Sequence, residues 1–299
     1  MNGPCPCGSG QPLSQCCIRT GLLRLPVPRM EPPSPLTGYA HPKCYLSSTN
    51  NCSTTISGEH YISKSVLKEM GPTLKLANPW FAPGKTLEMS IANAAANILC
   101  ARHNSALAPL DDIAGKLFRV LKEIRIHTEP QSAKRKGDRW HYFSGETIEL
   151  WMLKLLCGIY YGKIASKDGE PVHDKSSFDI KKFTAAIQHG ILAPNCGMYI
   201  RAYPGLKGDF RTSISVATLT SNVDARVIGI RVTLHGLEFE VILDPFHVNF
   251  DYVRKEGRLY RPWRLVFSFN DVDDLVVLTW PTAHGGTVHL NITAANPQS

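Results

Sequence analysis

No apolar run in these 299 residues is long enough to cross a membrane, and the opening stretch MNGPCPCGSGQPL lacks the apolar core of a secretion signal. Both absences lead to the expectation of a cytoplasmic protein with no membrane partner. Without secretion, the sequons at Asn51 and Asn291 carry no meaning, and disulfides are not expected. Internal repeats are missing, which argues against a solenoid. So is any glycine-rich phosphate loop, which argues against a P-loop nucleotide enzyme. His127, His141, His173, His247 and His284 have no acid or thiolate at a recognisable spacing, so they read as ordinary polar or core side chains.

What is present is a globular composition, 43% hydrophobic, over a length that suits two modest domains or one large one. The net charge is +8, and residues 116 to 139 hold eight Lys or Arg against three acids, a net of +5. A polyanionic partner is compatible with that balance, and Lys134, Arg135, Lys136 and Arg139 are the candidate phosphate contacts. Trp140, Tyr142 and Phe143 follow directly and could stack on bases, but packing under the next helix is the preferred account of them. Asp271, Asp273 and Asp274 read as a polar turn.

Nine cysteines occur, and seven fall into two short-range groups. The first group, Cys5, Cys7, Cys16 and Cys17 in CPCGSGQPLSQCC, can supply four thiolates to a tetrahedral Zn²⁺, and a segment this short has no other way to hold a fold. This stretch resembles the SEC-C zinc motif, with Leu13 where that motif usually carries an aromatic. The resemblance implies a docking module, hence a protein partner, and no chemistry of its own. Residues 19 to 42 contain six prolines and read as an extended tether.

The second group is Cys44, Cys52 and Cys100, joined by His103 in Cys100-x2-His103. Three thiolates and an imidazole make a Cys₃His zinc knuckle that would join two distant segments. Cys157 and Cys196 sit in apolar surroundings as small hydrophobes. The knuckle would bring GEHYISKSVL beside ANILCARHN, and so Glu59 and His60 beside Asn97 and Asn104. A carboxylate and an amide oxygen suit Mg²⁺ or Mn²⁺, and a neutral imidazole next to such an ion can deprotonate water.

Residues 44 to 110 resemble the HNH endonucleases, also called ββα-metal or His-Me finger nucleases. The resemblance implies His60 as general base, Glu59 and Asn104 as ligands of a catalytic Mg²⁺ or Mn²⁺, and Asn97 as a structural brace. It leaves open whether His103 or Asn104 faces that ion. The first cysteine pair is spaced by seven residues, and 36 residues separate His60 from Asn97, both longer than the family's usual pattern.

Further on, PLDDIAGKLFRVLKEI predicts a helix with Pro109 in its first turn and an apolar stripe of Leu110, Ile113, Leu117, Val120, Leu121 and Ile124. SGETIELWMLKLLCGIYYGKI predicts a helix capped by Ser144 at the centre of a second core. From residue 196 on, seven runs read as strands, two of them joined by a tight His235-Gly236 hairpin.

The expectation is an α+β chain in four parts: a SEC-C motif at 1–18, a linker at 19–42, an HNH-like module at 43–130, and a C-terminal helix plus mainly antiparallel sheet at 131–299. The expected function is metal-dependent hydrolysis of DNA, with DNA favoured over RNA, in a restriction or anti-phage setting. The alternative is a non-catalytic, zinc-braced nucleic-acid or protein adaptor with an inactive HNH fold. A homo-oligomer is left open.

Overall fold

The computed structural model describes residues 12, 25–71, 73–77, 86–127, 137–163, 166–167, 170–171, 178–193, 196–201, 214–221, 223–224, 226–244, 257–269, 272–281 and 286–291. The expected zinc ligands Cys5, Cys7, Cys16 and Cys17 and the basic residues Lys134, Arg135 and Lys136 lie outside the described residues. Within them the fold is α+β.

Strand β1 (Ile56–His60) leads to helix α1 (Lys64–Met70), a hairpin of β2 (Thr73–Ala77) and β3 (Thr86–Ser90), strand β4 (Ala95–Cys100) and the long helix α2 (Ala101–His127). Then come β5 (Arg139–Ser144), α3 (Gly145–Tyr161), the short pair β6 (Ser166–Lys167) and β7 (Glu170–Pro171), and α4 (Ile180–His189). The rest is strand: β8 (Gly197–Arg201), β9 (Ile214–Thr220), β10 (Val227–Leu234), β11 (Leu237–Ile242), β12 (Arg258–Tyr260), β13 (Arg264–Phe269), β14 (Val272–Thr279) and β15 (Thr287–Asn291).

β1 and β4 pair antiparallel, with Ile56 opposite Cys100 and His60 opposite Ala95, and β4 runs directly into α2. That is a β-β-α unit, with α1 and the β2–β3 hairpin carried in its first connection. Leu110, Leu117, Leu121 and Ile124 bury the expected stripe of α2, while Arg119 and Lys122 reach Glu69 on α1. α1 crosses α2 at Gly115, where a Cβ would come within 2.7 Å of Ser65 Cβ, so a larger side chain there would push the helices apart.

All seven expected C-terminal strands form. β10 and β11 turn through His235 and Gly236 with φ of 48° and 86°, the two left-handed positions a two-residue primed turn needs. Five strands make an antiparallel sheet in the order β12-β8-β11-β10-β9. The other sheet, β15-β13-β14-β5, is mixed: β13 and β14 are antiparallel, but β15 joins β13 and β5 joins β14 in parallel. The parallel pairs arise because β5 enters from far upstream and β15, which follows β14, passes β13 to join its far edge. Neither connection is a hairpin.

Three expectations are corrected. Helix α2 begins at Ala101, so Pro109 lies inside it, because the Cys100-His103 segment supplies the first turn. The Pro-rich stretch does not hang free: Met30 is buried, Leu25 N–H donates to Thr279 Oγ1, and Arg102 Nη2 donates to the carbonyls of Pro33 and Pro35. Helix α3 is not the centre of a second core. Ser144 does cap it, accepting from the Thr147 N–H, but its apolar circumference joins one continuous cluster running from Met30 through α2 to Leu290. A helix that is apolar all round can face α2 on one side and both sheets on the other.

Candidate metal centre and the polar cluster beside it

Cys44 and Cys52 sit in a loop braced at both ends. Cys44 N–H donates to His41 O, Cys52 N–H donates to Tyr39 O, and Tyr45 N–H reaches Ile98 O on β4. Cys100 ends β4 and His103 lies in the first turn of α2, so the helix start presents both side chains to that loop. The donor atoms of Cys44, Cys52, Cys100 and His103 all lie within 4.8 Å of one another, and all four residues are buried. His103 Nδ1 is 3.6 Å from the sulfurs of Cys44 and Cys52 and 3.1 Å from that of Cys100. A tetrahedral Zn²⁺ with bonds of about 2.1 to 2.3 Å has edges of roughly 3.6 to 3.8 Å, close to those separations.

The imidazole is set up as a ligand. Thr49 Oγ1 spends its proton on Leu46 O (2.8 Å), so at 3.0 Å from His103 Nε2 it can only accept. The ring proton is thereby held on Nε2 and the Nδ1 lone pair faces the sulfurs. Burial, with help from Arg102, lowers the His103 pKa to about 4 and keeps the ring neutral. Burial pushes the Cys44 thiol up; at Cys100 it acts the same way but is outweighed by backbone donors at His103 and Ser53, which hold that thiol below its ordinary value. This buried Cys₃His cluster could hold a metal such as zinc.

A second cluster lies at the other end of β1. Glu59 Oε1 is 2.7 Å from Lys154 Nζ, and the same ammonium is 2.6 Å from Asp111 Oδ2. Ser63 Oγ donates to Asp111 Oδ1 (2.5 Å) and accepts from Trp151 Nε1 (2.8 Å). Lys154 is only 4% exposed, and though burial disfavours its charge, the two carboxylates raise its pKa and keep it protonated. Burial pushes Glu59 up even against Lys154.

The four residues expected to form the catalytic set are not drawn to one point. Glu59 and His60 are strand neighbours and face opposite sides of β1. His60 is half-buried, its Nε2 is buried with no hydrogen-bond partner, and burial followed by the Lys64 charge lowers its pKa. Asn104 Nδ2 donates to Ser57 Oγ (2.9 Å), three residues before His60. Asn97 is exposed on β4 with its amide oxygen beside Gly58. Glu59, which with Asn104 was expected to hold Mg²⁺ or Mn²⁺, sets its Oε1 against the Lys154 ammonium, an ion pair that offsets the burial of both charges. Among the described residues, the Cys₃His group is the metal-ligating cluster of His, Cys, Asp and Glu that the fold assembles.

Arg139, expected as a phosphate contact, is set by register opposite Asp274 and makes a paired bond to that carboxylate (2.7 and 2.9 Å), which raises its pKa. Sequence reading missed Lys154, Asp111 and Thr49. One signal was available for Lys154: it is the single cation in the apolar run LWMLKLLCGIYY, where a buried ammonium requires an acid from elsewhere.

Compared with known proteins, residues 1–19 match the SEC-C motif family model, a stretch that includes Cys5, Cys7, Cys16 and Cys17. No curated protein and no solved structure matches the chain.

Proposed function

We propose that the chain is a zinc-braced HNH-type endonuclease that hydrolyses phosphodiester bonds in DNA, with His60 as general base. The observation that carries the reading is the buried, unpartnered Nε2 of His60 at the end of β1 in a β-β-α unit. Leaving a buried polar atom unsatisfied costs about 1 to 3 kcal/mol, and such a cost is tolerated where the atom has work to do. A lowered pKa keeps the ring neutral at physiological pH, the state that accepts a proton from water. The Cys₃His cluster supports it by clamping the loop before β1 to the β4–α2 junction.

The Mg²⁺ or Mn²⁺ implied by the HNH resemblance fits this donor set poorly, since Asn104 remains for it and Glu59 does not. That mismatch favours a second reading, a zinc-braced nucleic-acid or protein adaptor on an inactive HNH fold. Supercoiled plasmid incubated with the full chain in Mg²⁺, Mn²⁺ or EDTA separates the two. Metal-dependent nicking that His60→Ala abolishes supports the nuclease; no nicking by folded, zinc-loaded protein supports the adaptor.

A further inference from the structure

Arg102 stands in the first turn of α2, between the two metal-ligating positions Cys100 and His103. Its Nη2 donates to the carbonyls of Pro33 and Pro35, the latter at 2.7 Å, and its Nε donates to Asn51 Oδ1 at 3.0 Å. The same amide oxygen accepts the Thr37 N–H at 3.2 Å, and Thr37 Oγ1 donates to Cys52 O at 2.8 Å. Among the described residues no carboxylate pairs with Arg102. Its planar fork is given to the backbone of the Pro-rich strap and to the loop that bears Cys52.

Beside that strap lies a cavity of about 130 Å³. Its walls include Met30 and Ser34 of the strap, Thr49 and Asn51 of the cysteine loop, Ile187 of α4, and His103. Cys44, Cys52 and Cys100 do not line it, so of the four donors the imidazole is the one that borders this space. All four are buried, His103 to 2% exposure. Past Pro32 the strap has little apolar anchoring: residues 33–40 are exposed, Leu36 to 75%. Hydrogen bonds, and not burial, hold it down over this stretch.

We propose that the strap is a gate over the metal centre, latched by Arg102, and that a metal ion or a competing chelator reaches the cluster through the cavity, past His103. A segment held by a few half-exposed hydrogen bonds opens locally at far lower cost than the whole chain. While the latch holds, the buried donors exchange slowly with solvent. Once it opens, the cavity widens on the His103 side and the cluster is reached without unfolding α2 or α3. The gate stands on the Cys₃His cluster and is independent of the nuclease reading of His60.

The test treats the zinc-loaded full chain with EDTA and excess N-ethylmaleimide and reads the alkylation of each cysteine by peptide mass spectrometry. Cys100 reports opening of the metal centre, and Cys157, buried in α3, reports opening of the whole fold. In the wild type, Cys100 labelling is expected to level off as EDTA is raised, because strap opening then limits it. Arg102→Gln should raise that plateau about tenfold or more, the effect of losing hydrogen bonds from a charged group, with Cys157 labelled as in wild type. Arg102→Lys should do the same, since an ammonium keeps the charge but lacks the fork that spans two carbonyls and an amide. Arg102→Gln that labels at the wild-type rate overturns the proposal, and so does a rise at Cys100 matched by one at Cys157. Arg102→Lys that behaves as wild type overturns it by assigning the effect to charge. A chain that takes up no zinc at this cluster overturns it as well.

Discussion

The β1–β4 hairpin is fastened at both ends, and by opposite means. Near Ile56 and Cys100 it carries three sulfurs and an imidazole close enough together to hold a metal such as zinc. Near His60 and Ala95 it is held by an ammonium the chain supplies itself, Lys154, between Glu59 and Asp111. A metal can bring together ligands that are all poor ion-pair partners, and its contribution depends on metal supply. A lysine delivers its charge with folding, but a carboxylate must then be buried with it, as Glu59 is. With a metal bound, the same hairpin would depend at one end on that ion and at the other on helix α3 being docked.

Removing one partner at each end should separate these dependences, and the metal end should suffer most. Cys100→Ser is expected to lower the zinc content by one ion per chain and to unfold the hairpin locally, since structural zinc contributes apparent free energies of about 10 to 16 kcal/mol. Elemental analysis and amide exchange across Ile56–His60 would check it. Lys154→Met should leave zinc content untouched but destabilise the chain by about 3 to 5 kcal/mol, because Glu59 is left buried and unpaired. A urea midpoint unchanged from wild type would show that the pair contributes nothing. Thr49→Ala should weaken zinc affinity by about 10- to 100-fold while the fold persists, having lost only the acceptor that fixes the His103 tautomer; competition with a chromogenic chelator reads this. Arg119→Ala, at an exposed pair with Glu69, should change stability by no more than about 1 kcal/mol.

The two ends also differ in how far they could be read before folding. Cys44, Cys52, Cys100 and His103 carry their chemistry in their residue types, and the x2 spacing of the last two marks a helix start, so the cluster was legible. Seven of the eight strands from β8 onward were legible for a similar reason, since alternation and the His235-Gly236 turn are local signals; three-residue β12 is too short to show alternation and was missed. Glu59, Asp111 and Lys154 are ordinary residues on three separate elements, and only the packing of α3 on α2 shows that they meet. The mixed sheet was hidden likewise, since β5 finds β14 across 135 residues, as the Arg139–Asp274 bond shows. Local chemistry was readable, and long-range pairing was not. The motif GEH was read as a unit, yet strand alternation divides it, sending Glu59 into the ion cluster and His60 to the other face.

Cleavage of supercoiled plasmid by wild-type and His60→Ala chains, matched for zinc content and freed of contaminating nuclease, tests the central claim most directly. The account predicts metal-dependent nicking by wild type, with the acid limb of its rate below the ordinary imidazole value of 6.5, and a loss of at least about 10²-fold on substitution. Equal cleavage by the two chains would contradict it.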